Sequence, residues 1–190
     1  MADMRIDQFV ANLPEGGARP NLFRVSGQFP TGVADRGSTE LLEFHVKGAS
    51  IPASTLGTIP LPFRGRVLKV AGDRTFEPWT VSVINEAGFP LRNAFEAWSE
   101  LINDPLLNIG QGGSGHKFSV YKQSWSVTQL GRNGEDMETY VMHGVWPSSI
   151  SQIQLGFDQN DQIEEFDVTL EYQYYTHNLG SPGRGRASGG

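Results

Sequence analysis

The chain has 190 residues and is 38% hydrophobic, which suits one compact domain with its own core and does not require a second. Its 15 basic and 21 acidic residues leave a net charge of −6, which argues against a nucleic-acid-binding surface spread over the protein. Cysteine is absent, so disulfides, thiolate zinc sites, iron–sulfur clusters and cysteine nucleophiles are excluded, while 23 Gly and 11 Pro point to many turns and a mainly β fold.

Residues 1–20 read as an entry segment, with Pro14 and Gly16-Gly17 breaking any regular pattern. The opening Met1-Ala2-Asp3-Met4-Arg5 lacks the apolar stretch of a signal peptide. No window approaches the ~18 apolar residues of a spanning helix. The expectation is synthesis in the cytoplasm, with no membrane partner. The body of the fold is expected over 21–177, followed by a Gly/Ser-rich tail over 178–190 with Arg184 and Arg186.

Leu42, Phe44 and Val46 alternate with Glu43, His45 and Lys47, which predicts a half-buried strand. From Lys47 to Arg66 the chain holds Ile51, Leu56, Ile59, Leu61 and Phe63, yet Pro52, Pro60 and Pro62 speak against continuous ladder pairing. An extended, Pro-rich arm follows, and its apolar residues need something to lie against: its own domain, or a neighbouring subunit. Trp79, Val81 and Val83 alternate with Thr80 and Ser82 as a second half-buried strand. Pro90 suits a first helical turn, and Leu91, Ala94, Phe95, Trp98, Leu101 and Ile102 form one stripe of 3.6-residue period. Asn103-Asp104-Pro105 ends this one expected helix.

The Gly110–Gly115 stretch reads as a connector. In Lys117 to Gln129 the apolar parity changes between Phe118/Val120 and Tyr121/Trp125/Val127, which predicts a strand with a bulge near Tyr121-Lys122. Tyr140 to Trp146 carries large apolar groups on both parities and is expected to be covered on both sides. Phe166, Val168, Leu170, Tyr172 and Tyr174 share one face of the last strand, and Glu165, Asp167, Thr169, Glu171 and Gln173 the other. A single helix among about seven strands predicts an antiparallel β-sandwich or partly closed β-barrel with one flanking helix.

No constellation supports catalysis. The Gly-rich stretch lacks the Gly-Lys-Ser/Thr of a phosphate loop. His45, His116, His143 and His177 have no partner three or four residues away, so no metal pair is written locally, and no cofactor is expected. Glu164, Glu165, Asp167 and Glu171 read better as an exposed, mutually repelling stripe than as a glycosidase pair. Asp158-Gln159-Asn160-Asp161 lacks the Gly and Glu that complete a calcium loop and reads as a polar turn. The serines have no nucleophile elbow around them. The four Trp fit strand and helix patterns, so packing explains them more simply than a sugar site.

One order of features has a counterpart. Ile59-Pro60-Leu61-Pro62-Phe63-Arg64-Gly65-Arg66 runs into Val67-Leu68-Lys69-Val70-Ala71-Gly72-Asp73-Arg74. Then come Phe76-Glu77-Pro78-Trp79-Thr80-Val81-Ser82-Val83-Ile84-Asn85-Glu86 and Phe89-Pro90-Leu91-Arg92-Asn93-Ala94-Phe95-Glu96-Ala97-Trp98. This order resembles the tail tube proteins of contractile-tailed, T-even-like bacteriophages, to which the tube proteins of type VI secretion are related. The resemblance spans Leu41 to Asn103 most specifically and continues to Tyr175. It implies a structural virion protein of the tail, not an enzyme. Six subunits would form a ring, and rings would stack into a hollow tube. The implied partners are further copies of the chain, the tail sheath, a tape-measure protein in the lumen, the baseplate hub and a tail terminator. DNA would pass through without specific binding. On this resemblance Lys47, Ile51, Leu56, Ile59, Leu61, Phe63, Arg64 and Arg66 belong to an inter-ring arm. Leu91, Ala94, Phe95, Trp98, Leu101 and Ile102 pack the helix on the barrel. Glu165, Asp167 and Glu171 face either the lumen or the outer wall. The same tube in a phage-derived injection or secretion particle is the first alternative, and a carbohydrate-binding β-sandwich the second.

Overall fold

A computed structural model describes Ile6, Ala11 and residues 17–34, 36–110 and 118–179. Its elements in chain order are β1 (Phe23–Gly27), α1 (Arg36–His45), β2 (Val46–Ala49), β3 (Ser54–Phe63), β4 (Arg66–Phe76) and β5 (Trp79–Ile84). There follow α2 (Pro90–Ile102), a single turn α3 (Phe118–Tyr121), β6 (Gln123–Leu130), β7 (Asp136–Ile150), β8 (Glu165–Glu171) and β9 (Tyr174–Leu179). The architecture is a mainly β antiparallel sheet with few helices. One path runs β1-β6-β7-β8-β5-β2, with β9 also on β7, and β3 pairs only with β4. The path does not close: β1 and β2 are its two ends. No helix among the described residues is long and apolar enough to cross a membrane.

The sheet folds over one aromatic core. Trp79, Val81 and Val83 of β5 and Phe166, Val168 and Leu170 of β8 are all buried, as period-2 patterning requires. They pair in register, Val81 against Val168 and Val83 against Phe166. Trp125 of β6 approaches Trp79 edge-on at 6.4 Å, which brings the two ends of the path together over the core. Leu91, Ala94, Phe95 and Trp98 form the buried stripe of α2. Phe95 lies 5.1 Å from Phe29 and 6.3 Å from Phe166. Each fully buried large side chain contributes roughly 1.5–3 kcal/mol. Each buried indole also has a polar partner. Trp79 donates to the Ser50 carbonyl at 2.6 Å, Trp98 to Tyr121 at 2.8 Å and Trp125 to Gln28 at 3.0 Å. Each bond ties a connecting segment to the core while satisfying a donor that burial would otherwise penalise.

Several sequence expectations are corrected. The segment around Leu42 is a helix up to His45, and only Val46 begins a strand. Ser38 and Leu42 are buried, Leu41 and His45 half-buried, and Phe44 is 81% exposed. That is helical spacing, and the Glu-Leu-Leu-Glu run favours helix over strand. A two-repeat alternation was too short to decide. The fold therefore has α1 as well as the expected α2. The parity change at 118–121 is a helical turn rather than a bulge, with Lys122 N–H bonded to the Phe118 carbonyl at 3.1 Å. In β7 the two-sided apolar pattern comes from Gly144, at φ 71, which inserts an extra residue opposite Gln123-Ser124. Met142 and Val145, three apart, therefore both reach the core. The last apolar run is two strands. β8 pairs with the second half of β7 and β9 with the first, and Tyr174 beyond the break is half exposed. Asn178 and Leu179, assigned to the tail, are still paired in β9. Residues 111–117 and 180–190, which hold most of the expected connector and tail, lie outside the described residues, as does most of the entry segment.

Candidate functional site

The Pro-rich segment is not an unpaired arm. Ser54–Phe63 and Arg66–Phe76 form a long two-stranded hairpin closed by Arg64-Gly65, both with positive φ (46 and 79). That is a two-residue turn whose twist matches its strands. Phe63↔Arg66 is the closing pair, so pairs alternate outward from it between hydrogen-bonded and non-hydrogen-bonded. Pro62↔Val67 and Pro60↔Lys69 fall on the non-hydrogen-bonded sites. The N–H groups the prolines lack would have pointed away from β4, so the ladder survives them. Farther down, Gly57 sits opposite Gly72-Asp73 in a bulge. A Cβ on Gly72 would lie 3.2 Å from the Gly57 backbone, which accounts for the paired glycines.

Alternation along the ladder places Ile59, Leu61 and Phe63 on the same face as Leu68 and Val70. All five are exposed, Phe63 by 69%. Arg64 folds back over the Phe63 ring at 5.4 Å. The hairpin is held at its base only. Tyr172 donates to the Ala53 carbonyl at 3.3 Å, the Ser54 and Tyr175 hydroxyls bond at 3.3 Å, and Phe76 meets Tyr172 and Tyr175 at 5.9 and 5.6 Å. Burial of the Tyr172 ring, aided by neighbouring Tyr175, Glu77 and Glu171, raises its phenol pKa above the usual 10.0. Burial and Glu138 do the same for Tyr140, whose ring touches Tyr175. From Thr55 outward no other described segment covers the ribbon.

Of the residues singled out from sequence, Leu56, Ile59, Leu61 and Phe63 lie in β3, Arg64 in the turn and Arg66 at the start of β4. Ile51 is half exposed in the loop before β3. Lys47 is not part of the hairpin. It stands in β2 and bonds Glu165 at 2.7 Å. The acidic face is thus not simply repulsive: Glu165 is neutralised by Lys47, and Asp167 accepts from the Ser82 hydroxyl. Glu171 shares that face, away from the core. On α2, Leu91, Ala94, Phe95 and Trp98 are buried, with Leu101 and Ile102 partly so. His45 donates to the Leu41 carbonyl, His143 bonds Thr176 and stacks on Tyr174 at 4.8 Å, and His177 lies 3.7 Å from Glu138. His116 is outside the described residues. Among the described residues no three His, Asp or Glu side chains gather as a metal site would require.

Sequence reasoning missed the partner strand. Leu68 and Val70 complete the apolar face, and the signal was present as Arg-Gly between two alternating runs. It also missed the loop between β7 and β8, which exposes Leu155, Phe157 and Ile163. In addition the sheet offers open edges at β1 and β2. A long apolar ribbon and unpaired edges are features of a surface that another chain covers.

Residues 18–178 match the family described as "Phage tail tube protein". A curated relative, "Tail tube protein gp19" of Enterobacteria phage T4, is 34% identical over 161 residues, covering 83% of this chain and 90% of the relative. The "Tail tube protein" of Serratia phage KSP90 is 26% identical over 169 residues, 88% of this chain and 93% of the relative. Among solved structures, a chain in the cryo-EM structure of the anti-feeding prophage baseplate aligns at TM-score 0.62 and 13% identity, covering 86% of this chain and 96% of that one. A chain in the sheath–tube complex of the extracellular contractile injection system PVC aligns at TM-score 0.61 and 15% identity, covering 93% and 99%.

Proposed function

Because the chain belongs to the phage tail tube protein family, a structural and non-enzymatic one, and is a tail tube subunit of a contractile phage tail, we propose how its surfaces build that tube. The single observation that carries the reading is the β3–β4 hairpin: five apolar side chains on one face, with no described segment of their own chain to cover them. Burying such a face against a second copy removes apolar surface from water, the main driving force of association. Subunits join side by side through the open edges of the sheet, which completes the partly closed barrel of each across the contact. Six subunits close into a ring, and rings stack through the hairpins into a hollow tube. Such contacts are heterologous: they close around the axis and propagate along it.

The partners that follow are the tail sheath around the tube, the baseplate hub at one end, the terminator at the other and the tape-measure protein within. DNA passes through the lumen unbound, since the chain lacks the basic excess that grips phosphates. Assembly takes place in the host cytoplasm and the product is part of the virion. The Glu165, Asp167 and Glu171 face belongs to the lumen or to the wall under the sheath. A phage tail is preferred to an injection particle because the 34% identity is to a phage protein, whereas the particle structures share the fold alone.

The test is negative-stain electron microscopy of the purified protein with its solution mass, alone and with baseplate components. Rings or hollow tubes are expected. A monomer at every concentration, with and without a baseplate, would sink the reading.

A further inference from the structure

The hairpin and the β7–β8 loop lie at opposite ends of one sheet. The hairpin leads into β5 at Trp79, which pairs with Leu170 near the end of β8. The loop, residues 152–164, leads into β8 at Glu165, which pairs with Ile84 at the far end of β5. The span between them is about 17 Å of strand. The loop is anchored at both feet. Arg92 donates to the Ser151 carbonyl at 2.6 Å, and Asn85 donates to both the Glu164 carbonyl and its carboxylate at 2.8 Å. Between the feet, Leu155, Phe157 and Ile163 are exposed, Phe157 completely. Leu155 and Ile163 border a cleft of about 610 Å³ that also takes in Gln152, Gln159 and Glu164.

The two features are complementary in charge as well as in polarity. The hairpin tip carries Arg64, Arg66 and Lys69, and no Asp or Glu occurs from residue 44 to residue 72. The loop carries Asp158, Asp161 and Glu164, and no Lys or Arg occurs from residue 133 to residue 183. Asp158, Asp161, Arg64, Arg66 and Lys69 form no ion pair among the described residues. Within one chain the hairpin face and the loop both stay exposed, so neither covers the other.

Resting on the reading of the chain as a tube subunit, we propose that the 152–164 loop is the receptor for the hairpin of a second copy of this chain. Phe63, Leu61 and Leu68 of one subunit meet Leu155, Phe157 and Ile163 of the next, and the basic tip lies against Asp158 and Asp161. Each chain offers one hairpin and one receptor, so the contact repeats head to tail without limit. The opposed charges set the polarity of stacking, since two hairpin ends or two loop ends repel each other.

The absence of cysteine makes a direct test possible. A chain carrying Phe63→Cys and Phe157→Cys is assembled into tubes, treated with a short bifunctional maleimide and run on a denaturing gel. A ladder extending beyond dimers is expected, with none from either single variant. A second test reverses charge. Asp158→Lys with Asp161→Lys should raise the protein concentration needed for tubes at least tenfold at low salt. Adding Arg64→Glu and Arg66→Glu to the same chain should restore it, because every contact is then inverted. Intact wild-type tubes with no ladder and no reciprocal rescue would overturn the receptor while leaving the tube reading standing. Wild-type protein that forms neither rings nor tubes, even with a baseplate, would overturn both. If the cysteine chain does not assemble, the charge pair decides.

Discussion

The molecule contains two concentrations of apolar side chains that meet opposite fates. Around Trp79, Phe95, Trp98 and Trp125 every ring is buried and every indole N–H is bonded within the chain. Around Ile59, Leu61, Phe63, Leu68 and Val70 every side chain faces solvent, although backbone pairing is continuous to the turn. The first region supplies the stability of the subunit. The second is formed but not covered, so it adds little to the subunit and much to whatever buries it. Apolar content alone does not separate a core from a contact. What separates them is whether the partner lies in the same chain.

The contrast can be broken most forcefully at the core. Trp98→Ala should cost about 3–5 kcal/mol in urea unfolding of the unassembled subunit, a large share of the ~5–15 kcal/mol typical of a domain. It empties a buried site and leaves the Tyr121 carbonyl without its donor. Gly27→Ala should cost about 1–3 kcal/mol in the same assay, because the added methyl would lie 2.3 Å from the Trp125 ring and the ring must move.

The seam between the regions responds to pH. Tyr140 and Tyr172 have pKa values raised above 10.0 in the folded chain, so folding favours their neutral forms. Their contribution is complete below pH 10 and is lost as pH rises from there through the folded values, because the unfolded chain releases the phenolic protons first. Urea midpoints should fall between pH 9 and pH 11, and by less in Tyr172→Phe. An equal fall in that variant would remove Tyr172 from the explanation. The smallest effect is expected on the ribbon. Ile59→Ser with Leu68→Ser should change unassembled stability by no more than about 0.5 kcal/mol while abolishing tubes seen by electron microscopy. A loss of several kcal/mol would mean that the ribbon is packed within its own subunit.

What was legible in the sequence follows from length and regularity. The α2 stripe repeats over 13 residues, and β5 and β8 alternate cleanly, so one period fits each. The segment from Ser38 to Val46 offered too few repeats to separate a period of 2 from one of 3.6, and the helix won through Glu40-Leu41-Leu42-Glu43. Gly144 hid the face of β7 because one extra residue reverses the parity that a pattern relies on. The hairpin was misread by counting prolines instead of asking which edge they face. Pro60 and Pro62 are two apart, share the outward edge and leave the ladder intact. The apolar arm residues themselves were legible. Val67, Leu68 and Val70 on the partner strand, and the loop around Phe157, were not, since their meaning depends on which end of the sheet they occupy.

The placement of those two prolines has a further consequence. A bare strand edge is a template on which any extended chain can zip, and a cell making many copies of one ribbon risks gluing them into fibrils. Without N–H groups at residues 60 and 62, the outer rim of β3 has no donor at successive sites near the tip. Copies can meet there through side chains but cannot extend the ladder by another strand. On its β3 side the ribbon can therefore remain bare in solution, waiting for a neighbour with the right shape and charge, without offering that rim as the seed of an aggregate.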